Sequence, residues 1–139
     1  MEDYYSDFFK FLKEKGFKTG KIKGIHELNK PHMIVINNKS QEIWYLLSHK
    51  GWEGYRYFFG IEREYLKKLN KYNGYVIFGC GSIKNIFKIP ANFLIEKLRY
   101  TSVAIKDNNY KINITEKFGE FRFKVPNGQE INIEKFRFK

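Results

Sequence analysis

A chain of 139 residues with 42% hydrophobic and 29% charged positions, among them 14 Phe, 10 Tyr and 2 Trp, is not a disordered polypeptide; it reads as a single domain, residues 1–139, cut from a longer protein or complete in itself. Twenty-six Lys and Arg against 15 Asp and Glu leave a net charge of +11, the field of a polyanion binder. One cysteine, three histidines, an acidic amino end and only short apolar runs exclude a disulfide framework, a zinc-finger site, a signal peptide and a membrane-spanning helix, so a cytoplasmic chain without metal or cofactor is expected.

Tyr5, Phe8, Phe9 and Leu12 recur at helical spacing and predict an amphipathic helix over 2–15, stopped by Gly16. Residues 18–32 carry two glycines, a proline and several lysines and read as a basic loop with room for a short extended piece. Met33 to Ile36 predicts a strand and residues 37–40 a turn. Glu42 to Leu47 and Tyr55 to Gly60 read as two strands of a hairpin around a glycine-rich loop. Residues 61–72 have acids in the first turn and lysines in the last, with Ile61, Tyr65, Leu69 and Tyr72 on one side, and predict a second helix closed by Asn73 and Gly74.

Tyr75 to Phe78 and Lys84 to Ile89 predict strands around a glycine turn, and Pro90 suits the first position of a third helix over 92–98. Alternation takes over in the last third: Tyr110, Ile112 and Ile114, then Phe121, Phe123 and Val125, the latter interleaved with Arg122 and Lys124. A turn at Pro126-Asn127-Gly128 leads to Ile131 and Ile133, and the phase slips before Phe136 and Phe138, as at a bulge. Together these elements predict an α+β fold: a strongly twisted or barrel-like mixed sheet of about seven strands with three flanking helices.

No catalytic signature is spelled out. Gly79-Cys80-Gly81 lacks the third glycine and the following helix of a dinucleotide loop, and Cys80 has no local base, which makes it a structural thiol. A metal-dependent nuclease needs converging carboxylates, for which Glu42 and Glu53, flanking the first hairpin, are the nearest candidates.

Segment 44–59 mixes ring faces with cations, the chemistry of nucleic-acid readers. Tyr55, Tyr57 and Phe59 point one way and Arg56 and Phe58 the other, so one set belongs to the core; Phe58 and Phe59 read as core filling. Trp52 lies between two glycines beside Lys50, where a large ring either folds back or binds something. Phosphate contacts are expected from Lys21, Lys23, Lys50, Arg56, Lys84 and Lys88, and base contact from Trp52 with Tyr55 or Tyr57.

The run Ile43 to Leu47, the basic glycine loop, Tyr57 to Ile61, Glu64-Tyr65-Leu66, Tyr75 to Phe78 and Phe87 to Pro90 resembles the N-terminal DNA-recognition domains of McrB-type, modification-dependent restriction proteins, over about residues 43–98. The resemblance implies a barrel-cored target reader akin to PUA-like and YTH-like domains, some of which take a flipped modified base into an aromatic cage. With no GTPase motif in the chain, a GTPase motor and a nuclease would reside on other segments or subunits. The reading is therefore a DNA-binding, target-recognition module; a small metal-dependent nuclease, an RNA-binding module and a protein-interaction module are the alternatives.

Overall fold

Helix α1, Glu2–Glu14, forms where the apolar spacing places it, and it ends as a glycine stop predicts. Gly16 adopts φ 87°, and the Phe17 N–H returns to the Leu12 carbonyl at 3.0 Å. The computed structural model describes residues 2–22, 24–28, 32–37, 40–98, 108–125 and 129–138. Lys23 and the turn expected at 126–128 lie outside them, as does part of the turn expected at 37–40.

The α+β class is present, as two sheets. Strands β1 (Lys18–Lys21), β2 (Met33–Asn37), β3 (Gln41–His49), β5 (Tyr75–Cys80) and β6 (Ile86–Pro90) form one sheet in the order β1-β2-β3-β5-β6. Strands β4 (Arg56–Glu62), β7 (Asn109–Lys117), β8 (Glu120–Lys124) and β9 (Glu130–Asn132) form the other, in that order. Among the described residues there are thus nine strands in two open sheets, in place of about seven in one closing sheet.

The hairpin expected of Glu42–Leu47 with Tyr55–Gly60 does not form. β3 pairs with β5 in parallel, Trp44 opposite Tyr75, while β4 crosses to the second sheet and pairs with β7, Phe59 opposite Ile112. Residues 61 and 62 finish β4, so helix α2 starts later than expected, at Arg63–Lys71. Pro90 ends β6 opposite Tyr75, and helix α3, Ala91–Leu98, follows. An edge strand accepts a proline there because its outward side needs no N–H. Residues Glu134–Phe136 form a 3-10 turn instead of a bulged strand. Within the basic loop, which has room for a short extended piece, Lys18–Lys21 forms an edge strand whose exposed lysines leave no apolar signal.

The first sheet has helix α1 on one face. There Phe8 and Leu12 bury against Ile34, Trp44, Leu46 and Ile77, and Phe138 closes the cluster 5.5 Å from the Trp44 ring. Its other face meets α2, α3 and the inner face of the second sheet, with Phe59 on Phe78 at 4.9 Å and Phe87 on Phe121 at 5.0 Å. Tyr65 of α2 and Tyr72, which caps its carboxyl end, tie down the 3-10 turn His26–Leu28, donating to the Leu28 carbonyl and to Glu27. No helix among the described residues is long and apolar enough to cross a membrane.

Candidate nucleic-acid interface

With Tyr57, Phe59 and Ile61 turned inward, the outer face of the second sheet shows the other parity of each strand. Two cross-strand rows result. Arg56 stands opposite Thr115, which stands opposite Arg122 and then Asn132. Phe58 stands opposite Asn113, then Lys124 and Glu130. Neighbouring strands are about 4.8 Å apart, so Phe58 and Lys124 lie about 10 Å from each other on this face. A depression of about 220 Å³ lies among Arg56, Phe58, Asn113, Thr115 and Lys124.

Trp52 joins this face through a tight turn. Its N–H and carbonyl both pair with Arg56, at 2.6 and 3.0 Å, while Glu53 (φ 57°) and Gly54 (φ 80°) carry the left-handed backbone of the reversal. Antiparallel partners share a face, so the indole meets Phe58 edge-on at 5.4 Å yet stays 63% exposed. Beneath the turn, the Gly51 N–H donates to His49 Nδ1 at 3.0 Å, and the rings of Tyr57, Phe58 and Phe59 surround the imidazole at 6.0 to 6.3 Å. Burial, then the Lys50 charge, holds the His49 pKa below its usual value, which favours the neutral ring that this hydrogen bond requires.

Charges on the face are unevenly matched. Lys117 pairs with Glu130 at 3.0 Å, Arg122 lies 3.9 Å from Glu120, and Arg56 lies 4.0 Å from Glu53 across solvent. Lys124 stands opposite the same Glu130, whose carboxylate the Lys117 hydrogen bond, with the added positive charge of Lys124, holds below the usual range. Two buried polar atoms in the same row, Thr115 Oγ1 and Arg122 Nε, have no hydrogen-bond partner among the described residues.

The residues singled out in the sequence divide into groups. Lys50, Trp52, Tyr55 and Arg56 come together at one end of the second sheet. Lys84 sits on the adjoining turn between β5 and β6, whose Gly81 N–H donates to the His49 carbonyl at 3.0 Å. Tyr57 is 6% exposed and packs on Phe121, so it is a core residue and its ring is not offered to a base. Lys21 lies on the edge strand β1.

Lys88 faces α1, far from this group: its Nζ pairs with Glu42 at 2.6 Å and lies over Tyr75 and Trp44. Burial works against the Glu42 carboxylate, but hydrogen bonds from Lys88 and Trp44 Nε1 hold its pKa below the usual range. Glu42 and Glu53 do not meet, being at opposite ends of β3, and no three acidic, histidine or cysteine side chains among the described residues gather as a metal site. Cys80 is buried and burial drives its thiol pKa upward, away from nucleophilic use.

Phe58, read from the sequence as core, is 37% exposed on the outer face. Asn113, Thr115, Lys124 and Phe118 went unread. Phe118, at the β7–β8 reversal with φ 53°, is completely exposed. The signal for the first three was the polar phase of the alternation at 109–117 and 120–124, which becomes a surface only once β4, β7 and β8 are known to pair. A second depression, between the end of α1 and β1, is lined by Phe9, Lys10, Lys13, Phe17, Lys18 and Thr19. Its helix lysines stand at the negative end of α1, which they already balance. Compared with known proteins, the chain matches no family model, no curated protein and no solved structure.

Proposed function

We propose that the chain is a DNA-binding module that makes contact through the Trp52 turn and the outer face of the second sheet. The observation that carries this reading is the exposed Trp52–Phe58 ring pair with Arg56 on the same face and Lys124 across it. Rings supply stacking surface and the cations supply phosphate contacts, on a chain whose net charge is +11. In this reading Lys50 and Lys84 extend the cationic rim, while Tyr57 and Lys88 belong to the fold.

The resemblance of residues 43–98 to McrB-type recognition domains supports a finer proposal. The module would recognise target DNA for a restriction system, a modified base included, with a GTPase motor and a nuclease supplied by other segments or subunits.

The test is a binding panel of methylated and unmethylated duplexes, single-stranded DNA and RNA, each titrated across salt. Affinity should fall with salt along a log–log slope near −0.9 for each duplex phosphate neutralised, and near −0.7 on single strands. Affinity unchanged between low and physiological salt, or no binding to any nucleic acid, would refute the proposal.

A further inference from the structure

Five large apolar side chains are exposed among the described residues: Phe9, Trp52, Tyr55, Phe58 and Phe118. Four of them belong to one end of the second sheet. Trp52 pairs with Arg56, the Glu116 N–H donates to the Tyr55 carbonyl at 2.9 Å, and Phe118 follows two residues later at the tip of the hairpin. Only Phe9 lies elsewhere, on α1.

Trp52 and Phe58 touch edge-on at 5.4 Å, and Phe118 stands fully exposed at the tip of the neighbouring hairpin. Phe118 gains nothing from the core, and its left-handed backbone is one that a bulky L-residue adopts at a cost. Gly119 (φ 80°) beside it completes the reversal, and glycine or asparagine would be the unstrained choice at 118 as well. A fully exposed ring on a strained backbone is a candidate ligand contact.

The chemistry of that ligand follows from what rings reward. Intact duplex presents phosphates and base edges, which reward charged and amide donors; its base faces are hidden in the stack. An unpaired strand shows its base faces, which stack on aromatic side chains, and its backbone lies within reach of flanking cations. Resting on the DNA-binding reading above, we infer that the outer face of the second sheet is a platform for single-stranded DNA. About two or three bases stack on the Trp52, Phe58 and Phe118 end. The strand then runs across the depression, where Asn113 meets base edges and Lys124 with Arg56 meets phosphate.

The experiment compares the full chain's affinity for a fluorescent oligothymidine 12-mer, a mixed-sequence 12-base-pair duplex, an unpaired RNA 12-mer and anionic phospholipid vesicles. The DNA single strand should bind tightest and should quench Trp52 emission. Phe58→Ala and Phe118→Ala should each weaken it by roughly 5- to 150-fold, the usual worth of one stacked base. Phe9→Ala should leave it unchanged. Phe118→Asn should raise the melting temperature, because it relieves the left-handed phenylalanine, while still weakening single-strand binding.

Duplex bound as tightly as the single strand, with both phenylalanine variants silent, overturns this inference and leaves the DNA-binding reading standing. Tighter binding to RNA or to vesicles, lost in Phe118→Ala, also overturns it. Failure of every nucleic acid to bind overturns both.

Discussion

The two tryptophans make opposite commitments, and replacing each by alanine separates a core role from a ligand role. Trp44 is completely buried, its indole N–H bonded to Glu42 and its ring in contact with Phe8, Phe17, Phe138 and the Lys88 ammonium. Removing it opens a cavity and takes from the Glu42 carboxylate one of its hydrogen-bond donors, a loss of about 3 to 5 kcal/mol. Trp52 hides little more than a third of its surface, mostly against Phe58. A fully buried Trp covers at most about 250 Å², so the hidden part is about 90 Å², worth about 2 kcal/mol as an upper bound.

At about 3 to 5 °C per kcal/mol for a chain of this size, Trp44→Ala should lower the melting temperature by about 10 to 20 °C. Trp52→Ala should lower it by under about 10 °C. In DNA titrations the ranking reverses: Trp52→Ala should cost about 1 to 3 kcal/mol of affinity, whereas Trp44→Ala, measured where it is still folded, should cost little. Thermal denaturation by circular dichroism and fluorescence anisotropy titration on the same preparations give both numbers. Equal destabilisation by the two variants, with normal DNA affinity for folded Trp52→Ala, would make Trp52 a packing residue and move the base-contacting surface elsewhere.

Protonation of His49 gives a second test. Its pKa is lowered in the folded chain, so between that value and the unfolded value near 6.5 the unfolded state binds more protons. The associated stability is complete above about pH 6.5 and is lost as pH falls through the folded pKa; melting temperatures recorded from pH 7.5 to 5 should decline more in the wild type than in His49→Gln. Gly51→Ala should destabilise by more than about 1 kcal/mol in urea denaturation, since φ is 96° and the new methyl would sit 2.9 Å from the Tyr57 ring; an unchanged midpoint would refute that account of the loop.

Local periodicity was sufficient for α1, most of α2 and the inward residues of β3, β5, β7 and β8, because each of those patterns is set by burial of its own segment. It was insufficient wherever partners are remote. Nothing in Glu42–Gly60 says that β3 will choose β5 and β4 will choose β7, since both choices bury the same residues. Pro90 fits a helix start as well as a strand end, and Lys18–Lys21 has no buried face to announce it.

For the candidate site, the Gly51–Gly54 turn announced Trp52, Tyr55 and Arg56. Tyr57 was ambiguous because strand parity leaves open which set faces inward. Thr115 and Lys124 acquire meaning only as neighbours of Arg56 and Phe58 across two ladders.

Phe138 completes the aromatic cluster beneath α1, against Phe8, Phe11, Phe17 and Trp44. On a translating ribosome the first four of these rings emerge early and the last arrives only after some 90 further residues, a delay of roughly 5 to 20 seconds at ordinary elongation rates. For the first half of that interval the amino-terminal helix has a docking sheet that lacks β5 and β6, and for all of it the cluster lacks Phe138. The nascent amino end is therefore a period of exposed apolar surface set by the codons in between, and slower synthesis of the second sheet lengthens the time in which a chaperone or another nascent chain competes for Phe8 and Leu12.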